Sequence, residues 1–341
     1  MTLTAAIVGC GRMGRRHANV LSKMSIKIVG LVDLVPAVCE KLLGACPAPD
    51  RPTCYESLDS LLEANAPDLV VVSTTAGAHV SHALQAIEAG VGLILLEKPV
   101  ATSMTQCLEL QQACERTKAR VAVNHQMRFL PQYQIPKRLL SSPGYAGFRS
   151  MHVAAGNFGM AMNGTHYFEA FRFLTDEAPV KVEAWFDSDI LPNPRGPQFH
   201  DVSGCIRVTT ASCHRLYIDA SSDQGHGVQV TYMGRNGRIS IDELTGSMTA
   251  VVRTAEHRDA STSRYGMPVE VEHHQIPPVE LVDSTMAVLQ ALLAGDGYPT
   301  LADATLAVKT LVASYHSHRM GGLPVALADI PDDDLEVFPW A

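Results

Sequence analysis

A lysine follows a predicted strand, at a position where its positive charge could take part in catalysis. Lys98 follows the apolar run 92–96 (Gly-Leu-Ile-Leu-Leu) and lies between Glu97 and Pro99. Pro99 keeps the residue before it out of the helical backbone region, and lysine is seldom held near an interior without a partner. If the run is a strand of an α/β sheet, Lys98 opens onto the ligand crevice. Lys98 is therefore a candidate for chemistry, and the alternative is a charged residue that ends a surface strand.

The elements around Lys98 predict a doubly wound sheet. Short apolar segments alternate with segments of helical spacing through residues 1–123. We predict strands over residues 5–9, 27–33, 69–73, 92–96 and 120–123, and helices over residues 11–22, 36–43, 58–64, 78–89 and 103–118. Strands that are apolar throughout and separated by helices indicate a parallel sheet covered on both faces. This part of the α/β chain is predicted to be a Rossmann domain.

The pattern changes at residue 124, which fits the expectation that 341 residues form two domains. Alternating apolar and polar residues indicate a largely antiparallel, open sheet with one buried face. We predict strands over residues 180–188, 204–210, 215–220 and 227–232, helices over residues 164–174, 282–294 and 302–318, and loops over residues 191–198 and 254–268. Residues 124–341 are thus predicted to be an α+β domain for substrate binding and oligomerisation.

A glycine-rich turn directly follows the first strand and opens the first helix. The motif is Gly9-Cys10-Gly11-Arg12-Met13-Gly14. The first glycine permits a tight turn, the second lets a pyrophosphate approach the backbone, and the third allows close helix packing. The alternative is a turn that only packs the helix.

Asp33 occupies the position where dinucleotide-binding sequences with such a glycine turn carry an acidic residue. It ends the second strand about 20 residues beyond Gly14, where a carboxylate accepts hydrogen bonds from ribose hydroxyls. The carboxylate would repel a 2′-phosphate, and neither Leu34 nor Val35 supplies a compensating cation. The sequence therefore predicts NAD as the cofactor, in preference to NADP.

Composition excludes several classes of function. The net charge of -8 and the lack of a basic stripe argue against nucleic acid as a partner. No apolar run approaches the roughly 20 residues of a membrane span, and the N-terminus lacks a signal core, so we expect no membrane association and a cytoplasmic location. The eight cysteines show no metal-site spacing, and we expect no metal.

Taken together, these motifs resemble those of the Gfo/Idh/MocA oxidoreductase family. Besides the glycine turn and residues 97–99, the resemblance rests on residues 73–79, residues 124–129, Gly164-Thr165-His166 and the C-terminal run 302–327. It extends over nearly the whole chain. The resemblance implies a Rossmann domain joined to a second domain whose open sheet covers the nicotinamide and builds homodimers or homotetramers. It further implies that Thr74, Thr75, His79 and Glu97 lie along the cofactor.

The resemblance also implies a catalytic pair, Lys98 and His166. A hydride leaves a carbinol carbon readily only if the hydroxyl proton is removed, and histidine has a suitable intrinsic pKa for that base. The Lys98 ammonium would stabilise the developing alkoxide. Many relatives carry an aspartate four residues before this histidine, whereas this chain has Met162 there, with Asn163 next to it. Asn163 is then expected to contact substrate, and Glu169 to orient the imidazole from one helical turn beyond.

Three more residues are expected to contact the substrate. Gln126 and Arg128 follow the last parallel strand, and Asn157 would enter from the second domain. An arginine at this place would suit a carboxylate or phosphate group. The predicted activity is hydride transfer between NAD and the alcohol or ketone of a sugar, cyclitol or nucleotide-linked sugar. The alternatives are a glycosidase that uses transient oxidation by NAD, and an NAD-binding regulator that has lost catalysis, for which Met162 is the supporting feature.

Overall fold

The computed structural model describes residues 3–44, 46, 51–156, 158–188, 192–193, 195–261, 267–277 and 279–340. The strands are β1 (Thr4–Val8), β2 (Lys27–Val32), β3 (Thr53–Tyr55), β4 (Leu69–Val72), β5 (Leu93–Leu96), β6 (Arg120–Val123), β7 (Phe148–Ala155), β8 (Pro179–Phe186), β9 (Gly204–Thr210), β10 (Arg215–Ala220), β11 (Gln229–Gly234), β12 (Gly237–Asp242), β13 (Ser247–Arg253), β14 (Val269–Gln275) and β15 (Val325–Ala326). The helices are α1 (Arg12–Lys23), α2 (Pro36–Leu43), α3 (Leu58–Ala64), α4 (His79–Glu88), α5 (Met104–Thr117), α6 (Pro131–Leu140), α7 (Thr165–Thr175), α8 (Leu281–Ala294) and α9 (Leu301–Arg319).

The chain forms two compact units. The first contains residues 1–126, 280–308 and 331–341, and the second contains residues 127–279 and 309–330. This division differs from the predicted one, which assigned every residue after 123 to the second domain. The physical reason is packing, because α8 lies against α1, β5 and β6 of the first unit. The C-terminal tail packs there as well, and its stacked Phe338 and Trp340 rings are buried.

The first unit contains the predicted Rossmann sheet. Its described strands are all parallel, in the order β3-β2-β1-β4-β5-β6. The central strands β1 and β4 are almost wholly buried, as expected for a sheet with helices on both faces. Each strand and helix predicted in this region lies within one residue of its observed bounds. Strand β3 was not predicted, because three residues are too few to show a pattern.

The second unit contains a largely antiparallel sheet, as predicted. The order of its described strands is β14-β13-β12-β11-β7-β10-β9-β8-β15, and the β7–β10 pair is parallel. Burial alternates along β8, β10 and β12, which indicates one covered and one open face. Residues 191, 194 and 262–266 of the two predicted loops lie outside the described residues.

Several elements of the second unit were not predicted. Helix α6 contains Pro131 at its first position and Pro136 in its interior, and an internal proline ordinarily argues against a helix. Strand β14 is exposed at every position, so its sequence lacks the alternation that marks a half-buried strand. Both elements are stabilised by tertiary neighbours, since α6 packs on β11 and β14 pairs with β13 along seven residues.

No described helix is both long and apolar enough to cross a membrane.

Candidate active site

The glycine turn after β1 has a geometry in which each glycine performs a different task. Gly9 has a φ of +91°, and a Cβ there would lie 2.7 Å from the backbone of Ser73. A Cβ on Gly14 would lie 2.1 Å from the Gly9 carbonyl oxygen, so Gly14 is required for helix α1 to pack against the turn. A Cβ on Gly11 would meet nothing within 4 Å. The free space beside Gly11, at the start of α1, would admit a pyrophosphate, and that contact stays a prediction.

Asp33 is fixed at the mouth of this turn. Its Oδ2 accepts a hydrogen bond of 2.8 Å from the Cys10 backbone N–H, and its Oδ1 accepts one of 2.9 Å from the Val35 N–H. The side chain is half-buried. Each carboxylate oxygen has a second lone pair. Asp33 therefore connects β2 to the glycine turn and retains acceptor capacity for ribose hydroxyls.

Alanine at position 11 is expected to weaken NAD binding on the order of tenfold or more, because its methyl group would fill the space that the phosphate backbone occupies. The melting temperature should change little, since the new Cβ meets no protein atom within 4 Å. Isothermal titration and thermal unfolding measure the two effects. Gly92→Ala is the matched control, because that Cβ also meets free space but lies at the start of β5. Equal NAD affinity in the two variants would contradict the proposed cofactor position.

His79 joins the turns that follow β4 and β5. Its Nδ1 lies 2.8 Å from the Pro99 carbonyl oxygen, and its Nε2 lies 3.2 Å from the Thr74 carbonyl oxygen. The ring is buried, whereas Thr74 is half-buried and Thr75 is exposed. His79 thus holds the backbone on both sides of the site that Lys98 would serve. A direct cofactor contact for His79, Thr74 and Thr75 stays a prediction.

Glu97 and Lys98 differ in their environments. Lys98 is half-buried at the carboxyl end of β5. The Glu97 carboxylate is buried, at 2.8 Å from Nε2 of His17 and 2.9 Å from Nδ2 of Asn124. Burial opposes ionisation of Glu97. The hydrogen bond and attraction from His17, the attraction of Lys98 and the hydrogen bond from Asn124 together outweigh burial and lower the pKa of Glu97 to about 2.

Through its contacts with His17 and Asn124, Glu97 anchors the end of β5, next to Lys98. A contact of Glu97 with the cofactor stays a prediction. Sequence reasoning did not select His17 or Asn124. His17 lies one helical turn beyond Gly14 on the buried face of α1, and that spacing is the signal that would have identified it.

Gln126 and Arg128 fall in different units. Gln126 is buried at the end of the first unit. In the second unit, Nη2 of Arg128 donates to Oε1 of the buried Glu169, and Nη2 of Arg172 lies 3.3 Å from the same oxygen. Glu169 is a counter-ion to Arg128 and Arg172, and its expected role in orienting His166 stays a prediction. One carboxylate is thus shared by two arginines, and the role of Arg128 toward a substrate stays a prediction.

His166 lies in the first turn of α7 and is buried. A π-helical turn over Met160–Gly164 leads directly into this helix and contains Met162 and Asn163. The backbone N–H groups of Ala161 and Met162 donate to the carboxylate of Asp201. Sequence reasoning missed Asp201, because no motif surrounds it. Asn157 lies outside the described residues.

A cleft of about 300 Å³ opens beside this helix within the second unit. Its polar lining includes Asn163, Tyr167, Gln224 and His226. The Tyr167 hydroxyl donates a 3.0 Å hydrogen bond to Glu243, and the Tyr133 hydroxyl donates to the same carboxylate. Burial raises the pKa of Glu243, although these two hydrogen bonds act in the opposite direction. The cleft thus presents several hydrogen-bonding side chains, two of which, Asn163 and Tyr167, flank His166 in the sequence.

In the described part of the chain, no group of three or more His, Cys, Asp or Glu side chains is arranged to hold a metal ion.

Comparisons with known proteins agree with this architecture. Residues 3–125 match the family model described as "Oxidoreductase family, NAD-binding Rossmann fold". Inositol 2-dehydrogenase 3 of Saccharopolyspora erythraea is 26% identical over 97% of this chain and 98% of its own length. Two solved structures share the fold. GenD2 from gentamicin A biosynthesis, in complex with NAD, has a TM-score of 0.75 at 22% identity, with 95% of this chain and 96% of that chain covered.

The second structure is an oxidoreductase from Agrobacterium radiobacter in complex with NAD+, L-tartaric acid and magnesium. It has a TM-score of 0.78 at 16% identity, with 96% of this chain and 99% of that chain covered. The likeness therefore extends over both units, and the family match lies on the unit that holds the glycine turn, Asp33 and Lys98. Residues 3–125 thus match the NAD-binding Rossmann domain of the Gfo/Idh/MocA oxidoreductase family, and the chain is similar over nearly its whole length to an inositol 2-dehydrogenase.

Proposed function

We propose that this protein is an NAD-dependent dehydrogenase that transfers a hydride between the nicotinamide and a CH–OH carbon of a neutral sugar or cyclitol. One observation carries the proposal. The glycine turn, Asp33 and Lys98 follow strands β1, β2 and β5, whose carboxyl ends lie at one edge of the same parallel sheet. That edge is where α/β sheets bind their ligands.

The residues divide the chemistry between them. NAD, when bound, accepts the hydride. The Lys98 ammonium stabilises the negative charge that develops on the substrate oxygen, and its half-buried position strengthens that interaction relative to water. His166 accepts the hydroxyl proton, and Asn163 orients a neighbouring hydroxyl. Glu97, held by His17 and Asn124, fixes the strand end that bears Lys98.

Charge supports a neutral substrate. The polar side chains of the cleft beside α7 are amides, a tyrosine hydroxyl and an imidazole, and no Lys or Arg lies among the residues found to line it in the described structure. Arg128, which would suit an anionic group, is paired with Glu169. A phosphorylated or nucleotide-linked sugar would therefore meet no Lys or Arg among the residues found to line this cleft. Polyols need only hydrogen-bonding partners.

Asp33 supports NAD over NADP. Its carboxylate is held at the turn by two backbone N–H groups, so it cannot swing away from a 2′-phosphate without losing both hydrogen bonds. The neighbouring Leu34 and Val35 are exposed and carry no charge. Repulsion between the carboxylate and the phosphate would then remain unbalanced.

A panel assay tests the proposal. The protein is mixed with NAD+ or NADP+ and with neutral cyclitols, neutral sugars and sugar phosphates, and absorbance of the reduced nicotinamide is followed. We expect net NADH with a neutral polyol, at least about tenfold higher kcat/KM with NAD+ than with NADP+, and weaker activity with phosphorylated substrates.

The other outcomes identify the alternatives. Cleavage of a glycoside without net NADH would indicate a glycosidase that regenerates its bound cofactor. Tight NAD binding without any hydride transfer would indicate a regulator. Higher efficiency with NADP+ would refute the assignment of Asp33.

A further inference from the structure

The segment that leads into α7 is held by a carboxylate from a distant part of the chain. Oδ1 of Asp201 accepts a 2.7 Å hydrogen bond from the Ala161 N–H, and Oδ2 accepts one of 2.8 Å from the Met162 N–H. The next residue, Val202, accepts a 2.8 Å hydrogen bond from the Met160 N–H through its carbonyl oxygen. Three consecutive amides are thus bound by two consecutive residues that lie just before β9.

These amides need an acceptor that the helix itself does not supply. The first N–H groups of any helix lack intrahelical partners and form the positive end of its dipole. An ionised carboxylate there makes shorter and stronger hydrogen bonds than a neutral acceptor. Asp201 therefore provides acceptors for the Ala161 and Met162 amides and places a negative charge at the start of the segment that contains Asn163 and His166.

The neighbouring backbone is shaped to admit this carboxylate. A Cβ on Gly159 would lie 1.9 Å from Oδ2 of Asp201, so only glycine leaves enough space for the carboxylate at this place. The Asn163 N–H donates to the Gly159 carbonyl oxygen at 2.8 Å, and the Thr165 hydroxyl donates to the Ala161 carbonyl oxygen at 2.9 Å. These hydrogen bonds connect the backbone that Asp201 binds to the residues just before His166.

We propose that Asp201 is a positioning residue for the candidate catalytic helix, and that it holds the backbone at the place where Met162 stands in this chain. Asp201 lies 39 residues beyond Met162 in the sequence, yet its Oδ2 binds the backbone of that residue. It fixes the segment from which Asn163 and His166 project. The inference rests on the proposed function of His166. Because proton transfer requires accurate placement of the base, loss of the clamp will lower turnover more than substrate affinity.

Asp201→Asn tests the proposal, because an amide nitrogen would then face a backbone N–H. The matched control is Asp68→Asn, since Asp68 likewise accepts two hydrogen bonds, of 2.8 Å and 2.7 Å, but from Thr4 in the first unit. Asp201→Ser is the second variant, because its shorter side chain removes the carboxylate without placing an amide nitrogen against the backbone N–H groups.

We expect kcat to fall on the order of tenfold or more in both Asp201 variants, with a smaller change in KM. NAD affinity should stay unchanged, because the glycine turn and Asp33 belong to the first unit. Amide hydrogen exchange over residues 160–163 should accelerate in the Asp201 variants and not in Asp68→Asn. Asp68→Asn should keep wild-type kcat.

Two results would overturn the proposal. Unchanged exchange over residues 160–163 would show that Asp201 does not hold this segment. If the kcat of the Asp201 variants, calculated per folded molecule, equals that of the wild type, Asp201 only stabilises the fold. If the wild-type protein transfers no hydride to any substrate, the proposed function fails, and the exchange measurement together with the NMR resonances of the His166 ring still decides whether Asp201 positions this helix.

Discussion

Replacing Lys98 with methionine will lower turnover by roughly 100-fold or more, a typical contribution of a group that stabilises charge in the transition state. Methionine has a similar length and no charge. Lys98 is half-buried at the end of β5, so the variant should remain folded. NAD affinity should change little, because the glycine turn and Asp33 are unaltered. Steady-state kinetics and isothermal titration separate these two effects.

The control for this experiment is Lys41→Met, which removes an exposed lysine from α2. We expect wild-type kinetics for the control. Undiminished turnover of Lys98→Met would remove Lys98 from the mechanism, whereas a parallel loss of NAD affinity would show that Lys98 serves the cofactor and not the reacting oxygen.

Replacing Glu97 with glutamine will lower the free energy of unfolding at pH 7 by roughly 3 to 4 kcal/mol. The figure follows from the fall in pKa from 4.5 to about 2, at about 1.4 kcal/mol for each pKa unit. It agrees with the cost of breaking a buried ion pair by removing one partner. Glutamine cannot provide the charge that His17 and Asn124 surround. Urea unfolding followed by tryptophan fluorescence measures the difference.

The difference in the free energy of unfolding between wild type and Glu97→Gln should decrease as the pH falls. The folded protein depresses the pKa of Glu97, so the stabilisation is fully present above the unfolded value of 4.5 and is lost as the pH falls toward 2. The stability curves of wild type and Glu97→Gln should therefore converge in this window. Glu56→Gln is the control, because Glu56 is exposed and should give no difference. A constant offset between wild type and Glu97→Gln at all pH values would contradict the assignment to ionisation.

Local spacing determined the first unit. The order of Gly9, Gly11 and Gly14 after an apolar strand, with Asp33 after the next strand, predicts the turn that the structure contains, because these residues interact within one βαβ segment. Lys98 was also found from its place at the end of an apolar run. Such features can be read from a sequence because close sequence neighbours share one element or two adjacent ones.

Long-range packing decided the rest. The ion pair of Arg128 with Glu169, the contact of Asp201 with Ala161 and Met162, and the placement of α8 in the first unit each join residues that are 39 or more positions apart, or whole elements distant in the chain. The residues that flank a charged side chain in the sequence do not indicate which distant residue will pair with it. The role of such a side chain depends on its neighbours in the folded protein, because electrostatic and hydrogen-bond energies depend on distances of a few ångströms.

The sequence by itself thus determined the cofactor turn, the parallel sheet and the candidate lysine. The tertiary structure alone decided that Arg128 pairs with Glu169, that Glu97 faces inward, and that a distant aspartate binds the backbone at Met162, where the resemblance led us to expect an aspartate. The physical reason is that strand and helix patterns are local, whereas the partners of buried charges are brought together by folding.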